Sequence, residues 1–148
     1  ALQATRAAIQ EGVVEGGGIA LLRTMRAVEI FSDASIELSD DERSGISVII
    51  KALESPITQI LTNAGQESEL KISTLLQYWY VDGNPTLGYN AQTEKFVNLF
   101  EDGVIDPKKV TRAAIQNASS VVGMILTTEC MVVDEPNEVP TQPKMPMM

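Results

Sequence analysis

Apolar residues recur at helical spacing along most of the chain, and this pattern predicts a mainly α-helical fold. A first helix is predicted over residues 1–14, and Gly16-Gly17-Gly18 should end it, because glycine favours the turn that follows a helix. A second helix is predicted over residues 19–31. Its apolar residues with the spacing expected of a buried helix face are Leu21, Leu22, Met25 and Val28.

The middle of the chain predicts an exposed acidic loop at 32–42 and then two helices, at 43–53 and 56–63. Ser55-Pro56 should separate these helices, because the residue before a proline is disfavoured in the α region. The second of them should end near Gly65, a residue type preferred just after a helix C-terminus.

Residues 67–79 predict another helix, and the stretch after it changes character. In residues 78–90, aromatic and β-branched side chains flank a turn-forming sequence at 82–85, which predicts a small β-hairpin. Residues 94–100 are compatible with a short helix or with a strand. The turn chemistry around Tyr89 favours a loop that holds a buried tyrosine.

The last third predicts one long helix over residues 107–128, rich in small residues and apolar on nearly every side towards its end. Such a helix should lie in a core or an interface. A C-terminal strand is predicted at 130–135, with Cys130 as a buried and inert thiol. The proline-rich residues 135–148 predict a flexible tail.

Composition narrows the classes of function. The 148 residues suit one domain, and the formal net charge of −9 disfavours nucleic acid and anionic membranes as partners. One cysteine rules out an internal disulfide and fits a reducing compartment, while the absence of histidine removes imidazole bases and most zinc sites. The chain opens in mid-helix at Ala1, which indicates that it begins inside a longer polypeptide.

Taken alone, the candidate site residues favour structural interpretations over binding ones. Gly16-Gly17-Gly18 lacks the Lys-Ser/Thr of a P-loop and suits a helix stop. Asp106 before Pro107 suits an N-cap followed by proline at the first helical position. A carboxylate has several lone pairs, so a cap and a ligand contact are compatible at Asp106.

Several stretches together resemble the group I chaperonins, the bacterial and organellar sixty-kilodalton ring chaperones. These are "ATRAAIQEGVVEGGGIAL", the segment from "LGYNAQTEKF" to "TTECMV", and the Met-rich end, with the densest match over 88–132. The resemblance implies the C-terminal part of such a protein, in a multi-helix equatorial domain. Residues 1–14 would join the intermediate and equatorial domains, 15–134 would form half of the ATP-binding domain, and 135–148 would be its tail.

The resemblance also implies which residues contact a nucleotide. The glycine turn would approach it, the loop after Tyr89 and one valine would line the adenine, and an aspartate would accept hydrogen bonds from the ribose hydroxyls. In that order the residues are Gly17, then Asn90, Ala91, Gln92 and Val104, then Asp106. The family usually has alanine where this chain has Gln92. The cofactor would be ATP or ADP with Mg²⁺, whose ligands, like the catalytic residues, would lie outside this chain.

The implied function is that of an ATP-hydrolysing, protein-folding chaperonin. Its partners would be other subunits of a homo-oligomeric ring, unfolded client proteins and a co-chaperonin, the last two through domains that this chain lacks. The implied compartment is the bacterial cytoplasm, or alternatively the mitochondrial matrix or plastid stroma. Gln92 and the bulky sequence at 78–88 keep open a divergent helical scaffold without nucleotide function, and an acidic helical interaction domain is a third interpretation.

Overall fold

A computed structural model describes residues 2–35 and 37–134, which form five helices and four short strands. In chain order they are α1 (Leu2–Glu11), β1 (Val13–Glu15), α2 (Ile19–Ala34), α3 (Asp40–Asn63), α4 (Ser68–Tyr80), β2 (Gly88–Asn90), β3 (Lys95–Val97), β4 (Ile105–Pro107) and α5 (Lys108–Leu126). The predicted fold class, a mainly helical bundle with a small hairpin, is confirmed. The predicted tail at 135–148 lies outside the described residues.

The core lies between α2, α3, α4 and the β2–β3 hairpin. Leu22 and Met25 of α2 are buried, and Leu21 and Val28 pack against them, as the apolar spacing predicts. Removing such side chains from water is the main stabilising contribution to a domain of this size. The other buried apolar side chains are Ile19, Leu53, Ile57, Leu61, Ile72, Leu75, Trp79, Tyr89 and Leu99.

Helix α3 begins earlier than predicted, and the acidic residues 40–42 form its first turn rather than a loop. The Ser39 hydroxyl accepts a hydrogen bond from the Glu42 backbone N–H, while the Glu42 carboxylate accepts one from the Ser39 backbone N–H. This capping box satisfies two backbone donors at the helix start. Acidic side chains there also interact favourably with the helix dipole.

Helix α3 is also continuous, so the predicted break at Ser55-Pro56 is wrong. Proline inside a helix removes one backbone hydrogen bond and crowds the preceding turn. Leu53 and Ile57 on either side of Pro56 are buried in the core, and their packing keeps the backbone helical at the proline. The predicted end near Gly65 is correct, because the Gln66 N–H closes the helix on the Leu61 carbonyl at 2.9 Å.

The N-terminal helix is shorter than predicted, because residues 13–15 form a strand. The Gly12 N–H bonds the Ala8 carbonyl at 2.8 Å, and Gly12 has a φ of +82°, which ends α1. Strand β1 then pairs antiparallel with β4, placing Val14 opposite Asp106. The partner strand lies about ninety residues away along the chain, so no local pattern could indicate it.

The predicted hairpin exists but lies later in the chain. Helix α4 continues through Tyr80, since Trp79 is buried in the core, and residues 81–87 form a loop. Strands β2 and β3 pair antiparallel, with Tyr89 opposite Phe96, around a turn at 91–94. The ambiguous stretch 94–100 is therefore a strand at its centre.

Helix α5 packs on α1 and leaves its own apolar side chains exposed, so it is not part of this chain's core. The predicted C-terminal strand is absent over the described residues 130–134, and Cys130 is exposed rather than buried. A strand requires a hydrogen-bonding neighbour, and the described residues supply none there. Within the described ranges, no helix combines the length and apolarity needed to cross a membrane.

Candidate functional site

The glycine turn between β1 and α2 contacts three separate segments of the chain. The Gly16 N–H donates to the Val104 carbonyl at 2.9 Å. A Cβ built on Gly17 would lie 4.0 Å from the Tyr89 carbonyl oxygen, and one built on Gly18 would lie 2.8 Å from the Ile57 backbone nitrogen. The turn is therefore packed against the segment before β4, against β2 and against α3.

Asp106 lies in strand β4, so the predicted N-cap role is wrong. Pro107 occupies the N-cap position, α5 begins at Lys108, and no side chain caps the helix. Pairing with β1 keeps the backbone extended through Pro107, and the Lys108 N–H then donates to the Gly12 carbonyl at 3.0 Å.

The Asp106 side chain is exposed and makes no hydrogen bond or ion pair with any described residue. Both carboxylate oxygens are therefore available to an external donor.

Asn90 closes the hairpin turn from inside. Its Oδ1 accepts the backbone N–H groups of Gln92, at 2.9 Å, and Thr93, at 3.3 Å, while its Nδ2 donates to the Asp102 carboxylate. Both lone pairs of the amide oxygen are thereby used, and the side chain is buried. The contacts of Asn90 hold the loop that follows it and join this loop to the segment before β4.

The two residues after Asn90 differ in their surroundings. Ala91 is half-buried against the core, and its carbonyl accepts a hydrogen bond from the Gln66 Nε2 at 3.2 Å. The Gln92 side chain is exposed. The α3–α4 corner, where Gln66 lies, thus helps to fix the turn, and the longer Gln92 side chain points away from the packed core.

Val104 completes the set of six predicted site residues. It is half-buried against the core, and its N–H donates to the Leu99 carbonyl at 2.9 Å. The structure thus brings the glycine turn, the Asn90 loop and the Val104-to-Asp106 segment into one region, although they are far apart in the sequence. That the six residues contact a nucleotide stays a prediction.

A partly buried ion pair beside the glycine turn was not predicted. Both oxygens of the Glu15 carboxylate accept hydrogen bonds from the Arg23 guanidinium, which also donates to the Leu87 carbonyl at 3.2 Å. Arg23 lies over the Trp79 ring, 4.2 Å from its centroid. No sequence signal marks this pair, because Glu15 and Arg23 are eight residues apart on either side of a turn, outside the helical i, i+4 pattern.

The donor and acceptor groups of this region fit a nucleoside better than a phosphate. The unpaired Asp106 carboxylate suits hydroxyl donors and repels phosphate oxygens, while Val104 and Ala91 offer apolar surface to a base. Among the described residues, no cluster of His, Cys, Asp and Glu forms a candidate metal site.

Two open grooves lie elsewhere on the surface. One, of about 670 Å³, borders the α3–α4 corner at residues 66–70 and 73, and the other, of about 690 Å³, runs between α1 and α5. Neither is lined by any of the six predicted site residues.

Comparisons with known proteins agree on the family. A sequence model of the TCP-1/cpn60 chaperonin family matches residues 1–136. A group III chaperonin in the open state matches with a TM-score of 0.74 and 30% identity, over 85% of this chain and 25% of its own. An open-state group II chaperonin monomer from Methanococcoides burtonii matches with a TM-score of 0.68 and 27% identity, over 78% of this chain and 28% of its own.

This chain thus spans about a quarter of the length of these solved chaperonins. The family match covers nearly the whole chain, and both folds align over most of it. The chain belongs to the TCP-1/cpn60 chaperonin family.

Proposed function

We propose that this chain is the C-terminal equatorial segment of an ATP-dependent protein-folding chaperonin, and that it supplies adenine and ribose contacts and part of the ring-assembly surface. The observation that carries the proposal is the position of the glycine turn. Gly16 is hydrogen-bonded to the Val104 carbonyl and Gly17 lies beside Tyr89, so three sequence-distant segments share one region.

Each segment has a distinct role in this proposal. The Gly17 backbone lies against the nucleoside, where an absent side chain leaves room for close approach. Ala91, Gln92 and Val104 line the adenine, and Asp106 accepts hydrogen bonds from the ribose hydroxyls. The contribution of Asn90 is to hold the loop, since its amide oxygen already accepts two backbone hydrogen bonds.

In this proposal, the rest of the polypeptide supplies the groups that ATP hydrolysis requires. ATP, when bound with Mg²⁺, supplies a cleavable phosphate whose hydrolysis times the release of client proteins. The phosphate loop, the Mg²⁺ ligands and the catalytic aspartate belong to the rest of the full-length polypeptide, so the isolated fragment should not hydrolyse ATP. Robust ATP turnover by the purified fragment would contradict this division of roles.

The finer placement within the family is also proposed. The sequence resemblance over residues 88–132 favours group I, with a homo-oligomeric ring, a separate co-chaperonin and a bacterial cytoplasmic or organellar location. Co-sedimentation of the full-length ring with a separate co-chaperonin in the presence of nucleotide tests the group. A ring that closes without any such partner would contradict it.

Calorimetric titration of the full-length protein with ADP tests the nucleotide role. Asp106→Ala should weaken binding about 10-fold to 150-fold, because a hydrogen bond to a charged group contributes about 1.5–3 kcal/mol. Asp106 has no partner among the described residues, so this change should not disturb the fold. Asp33→Ala is the matched control, with the same charge change at an exposed position about 21 Å along α2 from Ile19.

The alternative is a divergent chaperonin-like scaffold that retains the fold but has no nucleotide function. It is favoured by Gln92, an exposed residue where the family usually has alanine. If the full-length wild type does not bind ADP while Gln92→Ala does, the scaffold is correct for the natural sequence. Tight binding by the wild type rules it out.

A further inference from the structure

The Arg23 guanidinium joins two backbone segments that border the candidate site. Its Nη2 donates to Glu15 Oε1 at 2.8 Å and also to the Leu87 carbonyl at 3.2 Å. Glu15 directly precedes the glycine turn, and Leu87 directly precedes strand β2. One planar group therefore connects the starting points of two segments that lie 72 residues apart in the sequence.

Trp79 holds this connection in place from the side of α4. The Arg23 guanidinium carbon lies 4.2 Å from the centroid of its ring, and the indole N–H donates to the same Leu87 carbonyl at 2.6 Å. Trp79 and Glu15 are both buried. Arginine stacks on aromatic faces while it donates in a fixed fork, so its geometry is restricted more strongly than that of a lysine.

The spacing of residues on the two segments shows what this connection controls. Gly17 follows Glu15 by two residues, and Tyr89 follows Leu87 by two residues, and a Cβ on Gly17 would lie 4.0 Å from the Tyr89 carbonyl oxygen. The contact between the glycine turn and β2 therefore lies two residues beyond the Arg23 connection on both segments. A shift of Leu87 relative to Glu15 would change that contact directly.

We infer that Arg23, supported by Trp79, is a positioning residue that sets the separation between the glycine turn and strand β2, and thereby the affinity for the nucleoside. The inference rests on the proposed function, because Gly17 and the Asn90 loop are its proposed nucleoside contacts. Arg23 touches no ligand in this scheme. It acts through the backbone at Glu15 and Leu87.

The competing explanation is that Arg23 only neutralises a buried carboxylate. A lysine would also neutralise Glu15, because it carries the same charge, but a single ammonium cannot reproduce a two-oxygen fork and a carbonyl bond together. Arg23→Lys therefore preserves the neutralisation and removes the connection. Trp79→Phe is a second, independent change, since it leaves both charges of the ion pair in place, keeps an aromatic ring, although a smaller one, beside Arg23, and removes the indole hydrogen bond to Leu87.

The experiment is calorimetric titration of the full-length protein with ADP and Mg²⁺, read as both Kd and stoichiometry. Arg23→Lys and Trp79→Phe should each raise the Kd about fivefold to tenfold at unchanged stoichiometry, because the apparent Kd scales inversely with the fraction of correctly placed sites. The matched control is Arg26→Lys. Arg26 lies on the same helix, pairs with Glu29 at 3.1 Å and lies 5.2 Å from the Tyr80 ring centroid.

The outcomes separate this inference from the proposed function. If the wild type binds ADP and both variants bind it with the wild-type Kd, the inference is wrong and the proposed function stands. A lower stoichiometry at an unchanged Kd shows a folding role alone and also overturns the inference. If Arg23→Lys does not fold, Trp79→Phe decides. A wild type that fails to bind ADP ends the proposed function, and this inference with it.

Discussion

Among the glycines of this chain that have a positive φ, Gly18 is the one where substitution by alanine should destabilise the fold most. Gly18 precedes α2 with a φ of +80°, a conformation that is costly for a residue with a Cβ. The added Cβ would also lie 2.8 Å from the backbone nitrogen of Ile57 and 3.0 Å from its Cα. The obstacle is the backbone of α3, which cannot rotate away as a flexible side chain can.

The expected loss combines two separable costs. The left-handed conformation costs about 1–2 kcal/mol for a residue other than glycine. Pushing apart the packed turn and α3 adds about 1–3 kcal/mol. Gly18→Ala should therefore lower the free energy of unfolding by about 2–5 kcal/mol, a large part of the stability of a typical domain.

Two glycines of the same chain separate these costs. Gly65 has a φ of +73° and open space around its Cβ direction, so Gly65→Ala should lose only the conformational cost, about 1–2 kcal/mol. Gly45 lies on an exposed face in the interior of α3, with no atom within 4 Å of an added Cβ. Gly45→Ala should raise the free energy of unfolding by about 1 kcal/mol, because alanine favours the helix.

Urea unfolding of the four proteins, followed by far-ultraviolet circular dichroism, gives the test. The expected order of midpoints is Gly45→Ala, wild type, Gly65→Ala and Gly18→Ala, from most to least stable. If Gly18→Ala loses no more stability than Gly65→Ala, the contact between the glycine turn and α3 does not constrain the turn. The packing argument for this part of the site would then be refuted.

Three further outcomes are expected. Ser39→Ala should lower the free energy of unfolding by about 1 kcal/mol through loss of the α3 cap, whereas Ser47→Ala, at an exposed mid-helix site, should change it little. The Arg112 hydrogen bond holds the pKa of Glu11 below its usual value of 4.5, so the stability from this pair should be complete above pH 4.5 and be lost as the pH falls through the lowered pKa. Glu11→Gln should abolish that part of the pH dependence of the unfolding midpoint. The exposed apolar side chains of α5 should make the isolated chain self-associate, with a light-scattering mass that rises with concentration and falls in Leu126→Glu; a constant monomer mass would contradict this.

Local sequence signals predicted the helices whose apolar faces pack in the core of this chain. The apolar spacing of α2 indicated the burial of Leu22 and Met25, and Gly65 marked the end of α3. The Ser39-to-Glu42 pattern also indicates the true start of α3, since S-x-x-E is a capping box. The error at Pro56 has the opposite origin, because core packing on both sides outweighed a local preference.

The resemblance predicts candidate site residues, but it does not predict the contacts that support them. Gly17, Asn90 and Asp106 lie in recognisable motifs. Arg23 reaches the Leu87 carbonyl across 64 residues, and a backbone carbonyl carries no residue-specific signal in the sequence. The Asn90 bond to Asp102 is similarly invisible, because both residues also suit an ordinary turn.

The burial of the helices shows why apolar periodicity alone was insufficient at both ends of the chain. All of α1 and α5 lies within the described residues, and neither helix contains a buried residue, although α5 has Val121, Val122, Met124, Ile125 and Leu126 near its end. An apolar stripe indicates that a face requires a cover, but it does not indicate which polypeptide provides it. For α2 the cover is in this chain. For α5 it is not among the described residues, and this chain spans only about a quarter of the solved chaperonins that it resembles. Of the two positions predicted for α5, a core position is therefore wrong within the described residues, and an interface position stays a prediction.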